Sequence, residues 1–123
     1  MPHIILEYTE NIKEKIKFPE LFVQLHQIIV EVATASLESC KSRAIKHKHF
    51  FIGSGDPKNA FIHVHIYLGE GRPLSVRKEL GEKILTALEK HFSKSLEELN
   101  LQISVEPREL LEGLYFKIPR GTV

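Results

Sequence analysis

One cysteine, Cys40, is all the thiol chemistry in the chain. A lone cysteine rules out an internal disulfide and a cysteine-ligated metal cluster, and it fits a reducing compartment. Charge of one sign is also scarce. Seventeen Lys and Arg against sixteen Asp and Glu leave a formal net charge of +1, whereas a general nucleic-acid binder carries a clear basic excess. No apolar run approaches the roughly 20 residues needed to cross a bilayer. The opening MPHIILEYTENIKEK lacks the basic region, apolar stretch and small-residue cleavage site of a signal peptide. Nucleophile signatures are missing too: Cys40 has no flanking motif and no serine sits in an elbow-type sequence. The one glycine cluster, GSGDP, lacks the lysine and following helix of a phosphate loop. The expectation is a cytoplasmic protein with no nucleic-acid or membrane partner.

What is present reads as an ordinary globular chain. Over 123 residues it is 42% apolar and 27% charged, a size and balance suited to one domain spanning 1–123. PHIILEYT alternates and is rich in branched residues, the pattern of a strand. In FPELFVQLHQIIVEVATA, Leu21, Phe22, Leu25, Ile28, Ile29, Val32 and Ala33 fall on one helical face, with Pro19 in the first turn. KSRAIKHKHFFIG reads as a second strand, GSGDPKN as a turn and AFIHVHIYLG as a third strand. A long helix is predicted from about Pro73 to Leu96, with Leu74, Leu80, Ile84, Leu85, Leu88 and Phe92 apolar. LQISVEP is a fourth strand, and RELLEGLYFKIPRGTV an irregular tail.

The order strand–helix–strand therefore occurs twice. Each such unit makes a parallel strand pair with its helix on one face. The predicted fold class is α/β: two β-α-β units forming a four-stranded sheet with both helices on the same side. The strands carry bulky residues on both faces, so the uncovered face is expected to be apolar and to form a subunit interface.

Pro2 raises a chemical question. If Met1 is removed, the terminus becomes a secondary amine at the tip of a buried strand. Proline also simply favours methionine removal and suits the first position of a strand. In the catalytic reading, apolar burial and cationic neighbours lower the basicity of the amine and leave it neutral near physiological pH, fit to act as a general base.

The segments MPHIILEYTENI, HIYLGEGRPLSVRKELGEKI and LYFK, in that order and spacing, resemble the 5-carboxymethyl-2-hydroxymuconate Δ-isomerases of the tautomerase superfamily. The resemblance runs from Pro2 to about Lys117, and GEGRPLSVR is also similar to the strand-to-helix corner of the smaller 4-oxalocrotonate tautomerases. It implies a tautomerase-like homotrimer with no metal or cofactor, interconverting keto and enol forms of an unsaturated dicarboxylate or tricarboxylate. The implied pathway is the breakdown of homoprotocatechuate, with the amino-terminal proline shuttling the proton. Alternatives are a different acid substrate, a related decarboxylation or dehalogenation, or a non-catalytic oligomeric binding protein of the same fold.

A polyanionic substrate needs fixed cations, and arginine's fork suits carboxylates. Arg72 matches the family's corner arginine; its plain reading is a solvated loop residue. Where the family pattern reads IRSR this chain reads CKSR, so Lys41 replaces the first arginine and Arg43 matches the second. Two apart on a strand, they share a face, and Arg43 is the candidate to take over the anchoring. Phe116 in LYFK matches a family aromatic that would close the apolar side of the pocket; its plain reading is core packing. His47, His49, His63 and His65 form two i, i+2 pairs on strands. No acidic residue stands at suggestive spacing from them, so no metal site is expected.

Overall fold

The computed structural model describes residues 1–119; the end of the predicted irregular tail, 120–123, lies outside the described residues. Four strands, β1 (His3–Thr9), β2 (Lys41–His47), β3 (Asn59–Gly69) and β4 (Asn100–Leu110), make one sheet in the order β2-β1-β3-β4. β1 pairs parallel with β2, and β3 parallel with β4. Helix α1 (Phe18–Ala33) crosses between the first pair and α2 (Leu74–His91) between the second. The two units join by antiparallel pairing of β1 with β3. The predicted pair of β-α-β units is thus the fold.

Alternation builds the core. Ile4 and Leu6 of β1 and Ile62, Val64, Ile66 and Leu68 of β3 are buried on the helical side. Leu21, Leu25, Ile29 and Ala33 of α1 and Leu80, Ile84, Ala87 and Leu88 of α2 close on them in one cluster. Phe22, Ile28 and Val32 of the predicted α1 face pack at its margin.

Several expectations need correction. The long helix breaks at Phe92, whose backbone leaves helical geometry (φ −107°, ψ 28°) while its ring is fully buried. The chain resumes as α3 (Ser93–Glu98), held because the buried Ser95 donates its N–H and its hydroxyl to the Glu14 carboxylate. Of the apolar positions on α2, Leu74 and Leu85 are exposed; they flank the buried stripe and line a groove beside Val105 and Pro107 of β4. β2 ends at His47, and the chain then turns through Gly53 and Gly55, both at positive φ. β4 runs on through Pro107 to Leu110; an edge strand tolerates the missing N–H of a proline.

A further correction concerns the uncovered face. It carries no helix, as expected, but it is not apolar. His3 and Glu7 of β1, Lys41, Arg43 and His47 of β2, His63, His65 and Tyr67 of β3, and Ser104, Glu106 and Arg108 of β4 all lie on it, among Ile5, Ile45 and Phe61. Exposed apolar side chains cluster instead on the tail after β4, at Leu111, Leu114, Phe116 and Ile118, with others, among them Val23, Leu37, Phe51 and Leu74, spread over the rest of the surface.

Candidate active site at the tip of strand β1

Pro2 is buried at the start of β1, and its carbonyl accepts the Lys41 N–H at 3.0 Å, which opens the β1–β2 ladder. Antiparallel pairing sets His3 opposite Tyr67, so Pro2 meets the end of β3. A cavity of about 160 Å³ lies there, lined by Met1, Pro2, Leu68, Gly69, Glu70, Arg72 and Glu112. Met1, 3% exposed, occupies the space beside it. The terminal amine is held below its ordinary basicity, first by burial, then by the charges of Lys41 and Lys117.

Arg72 borders this cavity, yet it is not a solvated loop residue. Its Nε donates to the Ala33 carbonyl at 2.8 Å and its Nη1 to the Gly69 carbonyl at 3.1 Å. Ala33 ends α1, so the guanidinium satisfies one of the orphan carbonyls there and sits at the negative end of the helix dipole. Gly69 ends β3, so one side chain ties the first unit to the second. The corner needs Gly71, whose φ of +108° disfavours any side chain. The Gly71 N–H donates to Glu109 Oε2 at 2.9 Å, and Arg77 Nη1 lies 3.4 Å from Glu109 Oε1. The remaining N–H groups of the Arg72 fork are available on a guanidinium that borders the cavity.

Lys41 and Arg43 are both exposed on the same face, but they serve different neighbours. Lys41 acts on the Met1 amine through its charge, and its Nζ donates to the Ser39 carbonyl at 2.9 Å. Arg43 Nη1 donates to His3 Nδ1 at 3.1 Å. The His3 ring therefore accepts at Nδ1 and donates at Nε2 to the Tyr115 hydroxyl, 2.8 Å away. Burial, and then Arg43, lower the basicity of His3 and favour this neutral form.

The Tyr115 bond folds the tail back over β1. It brings Glu112 to the cavity and the Lys117 charge to the amine. Sequence reasoning gave neither a role; the only signal was their place in and beside LYFK, because local pattern does not show where a tail returns. Phe116 goes the other way. It is 86% exposed and absent from the cavity lining, so within one chain it neither closes the pocket nor packs in the core. The cause is alternation: Tyr115 turns inward to His3, and its neighbour turns out.

The histidine expectation also changes. Glu7 Oε1 lies 2.8 Å from His47 Nε2 and Oε2 lies 2.6 Å from His65 Nε2. Glu106 reaches His63 at 3.3 Å. Acidic partners therefore stand beside these histidines, supplied by strands far away in sequence. His49 stays outside, exposed beyond the end of β2.

Arg72 differs from Arg43 in being structural as well as cationic. Arg72→Ala should lower unfolding free energy in urea by about 1.5–3 kcal/mol, the worth of charge-assisted hydrogen bonds. The exposed Arg43→Ala should change it by less than about 0.5 kcal/mol. Equal, small effects would show that the corner does not depend on the guanidinium.

The 5-carboxymethyl-2-hydroxymuconate isomerase family matches residues 2–119, beginning at Pro2. A 5-carboxymethyl-2-hydroxymuconate Delta-isomerase of Escherichia coli is 30% identical over 117 residues, covering 95% of this chain and 93% of that protein. The crystal structure of a 5-carboxymethyl-2-hydroxymuconate isomerase from Deinococcus radiodurans superposes with a TM-score of 0.86 at 30% identity, over 94% of this chain and 87% of the other. A fused 4-OT described as a symmetric trimer shares the fold, with a TM-score of 0.75 at 14% identity, over 95% of this chain and 92% of that one. The chain has the tautomerase-like fold, is an isomerase of that superfamily, and belongs to the 5-carboxymethyl-2-hydroxymuconate isomerase family.

Proposed function

We propose that this isomerase moves a proton between the keto and enol ends of 5-carboxymethyl-2-hydroxymuconate, or of a similar unsaturated polycarboxylate from aromatic breakdown. Pro2, freed by removal of Met1, is the base that takes the proton from the enol oxygen and returns it to carbon. The observation that carries this reading is the cavity at the tip of β1, where Pro2 shares a wall with Arg72. While Met1 is attached, the Pro2 nitrogen is an amide with no basic lone pair, and Met1 itself takes up room beside the cavity. Its removal leaves a secondary amine one residue further along, near the same burial, Lys41 and Lys117 that lower the Met1 amine. Such an amine is neutral at a pH where a solvated one is charged, as a general base requires.

Three cations serve the substrate carboxylates in this reading. Arg72 offers the rest of its fork at the cavity wall, Lys41 stands at the amine, and Arg43 lies further along the face on His3. The geometry favours Lys41 over Arg43 as the nearer anchor, and substitution of a lysine for a fork points to a somewhat different acid. Phe116 stands clear of its own cavity, so it can close a pocket only on another copy of the chain. The exposed tail apolars and the helix-free sheet face support assembly, and a homotrimer is the arrangement proposed. The compartment proposed is the cytoplasm.

A Met-blocked protein and the processed form should differ by more than about 100-fold in turnover of a muconate-type dienol, the low end for a general base. Comparable rates, with mass spectrometry confirming the two termini, would remove Pro2 from the mechanism.

The pH profile separates the two neighbouring cations. A positive neighbour disfavours the ammonium, so losing Lys41 raises the basicity of the amine. The base must be neutral, so the acid limb of kcat/KM in Lys41→Ala should move to higher pH, while in Arg43→Ala it should stay in place. The reverse pattern would assign Arg43 to the amine.

Sedimentation equilibrium should give about three times the chain mass of 14.1 kDa. A monomer at micromolar concentration would contradict the trimer.

A further inference from the structure

We propose that His63, His65 and Glu106, on the open face of the sheet, form a binding site for a divalent first-row transition cation of the zinc class. The inference is independent of the proline chemistry. His65 pairs with Ile5, three residues along β1 from Pro2 and so roughly 10 Å from it at the usual rise of a strand.

Three observations carry it. The first is the donor set. One ligand atom from each of the three residues lies within 4.8 Å of the other two. His63 Nε2 is 3.3 Å from Glu106 Oε1, and His65 Nδ1 is 3.8 Å from the same oxygen. Ligands on a tetrahedral zinc, with bonds of about 2.0–2.1 Å, stand about 3.3 Å apart. The two imidazole-to-carboxylate separations, 3.3 and 3.8 Å, are at or near that spacing.

The second is an uncompensated lone pair. The Glu7 carboxylate can only accept, so His65 Nε2 carries the proton that it takes at 2.6 Å. The neutral ring then leaves a bare lone pair on Nδ1. That atom is buried and has no hydrogen-bond partner among the described residues. It faces the Glu106 carboxylate, another acceptor. Two acceptors aimed at one point are repulsive unless a proton or a cation lies between them.

The third is the outer layer. Metal-binding histidines usually donate their other ring nitrogen to a carboxylate or similar acceptor, which fixes the ring and makes it a better ligand. The His65 ring is so held, and the Ser104 hydroxyl stands ready to accept from His63 Nδ1 once Nε2 gives up its proton to bind the cation. His65 Nε2 is on Glu7, which His47 Nε2 braces from the far side at 2.8 Å. His63 Nδ1 lies 2.5 Å from the Ser104 hydroxyl. Glu106 is steadied as well: Arg108 Nε donates to its Oε2 at 2.8 Å and leaves Oε1 for the cation. The borderline set of two imidazoles and one carboxylate suits zinc and its neighbours. Water completes the coordination, as in three-ligand zinc sites. A cation there would tie β3 to β4 directly and to β1 through Glu7.

The test is titration of the chelator-stripped full-length protein with zinc chloride by calorimetry, repeated with cobalt(II), whose visible bands report the ligand geometry. One zinc per chain, bound tighter than about 1 μM, is expected, with a thermal midpoint that rises with added zinc. His63→Gln and His65→Gln should each weaken binding by at least about 100-fold, and Glu7→Gln by about 10- to 100-fold. His49→Gln, on an exposed histidine outside the cluster, should bind as the parent does. Because a strand histidine variant can misfold, Glu106→Gln provides a second route; its side chain is 41% exposed, and it should also lose the site. Absence of saturable zinc binding would overturn the proposal. Binding that survives His63→Gln, His65→Gln and Glu106→Gln alike would overturn it too.

Discussion

The antiparallel pairing of β1 with β3, from His3 opposite Tyr67 to Tyr8 opposite Ile62, decides where every functional group stands. It brings the start of β1 to the end of β3, so Pro2 meets the Gly69–Arg72 corner. It also lays Glu7 opposite His63 and beside His65, so one carboxylate serves histidines of two other strands. A slip of one residue would turn Ile4 and Leu6 out to the open face and His3 and Glu7 into the core. The same burial that stabilises the sheet therefore holds the register on which both sites depend.

Arg72 shows how one side chain can serve fold and site together. Its bonds to the last carbonyls of α1 and β3 close the two units on each other. The same bonds immobilise the guanidinium at the cavity wall. His3 does similar service on the open face. By accepting from Arg43 and donating to Tyr115, it links the cationic strand β2 to the tail, and the tail carries Glu112 to the cavity and the Lys117 charge to the Met1 amine.

The two faces of the sheet divide the tasks. The helical side is apolar and continuous, and it carries the stability of the chain. The open side is polar, with its histidines and carboxylates linked in one network from His47 to Arg108. Glu7 and Glu106 are both held below the usual carboxylate range, Glu7 chiefly by the His65 hydrogen bond and Glu106 chiefly by Arg108. They remain anionic on a face with no helix over it, which suits a surface that receives cations or another chain rather than one packed at random.

Local pattern was enough for the elements and their order. Period-two alternation marks β1 and β3, the apolar stripe of Leu21, Leu25 and Ile29 marks α1, and doubled strand–helix–strand connections leave few ways to form the sheet. The segments around Pro2, Arg72 and Phe116 carried the family as well, since they are contiguous motifs. Local pattern could not reach what depends on contacts distant in sequence. The break at Phe92 comes from Ser95 meeting Glu14, about eighty positions away. The outward turn of Phe116 comes from Tyr115 meeting His3. The assignment of Lys41 rather than Arg43 to the amine depends on which side chain lies beside a terminus, not on which has the better fork. His63 and His65 looked unaccompanied because their carboxylates arrive from β1 and β4. Sequence spacing determines which side chains share a face; only the pairing of strands in the folded sheet decides which of them meet.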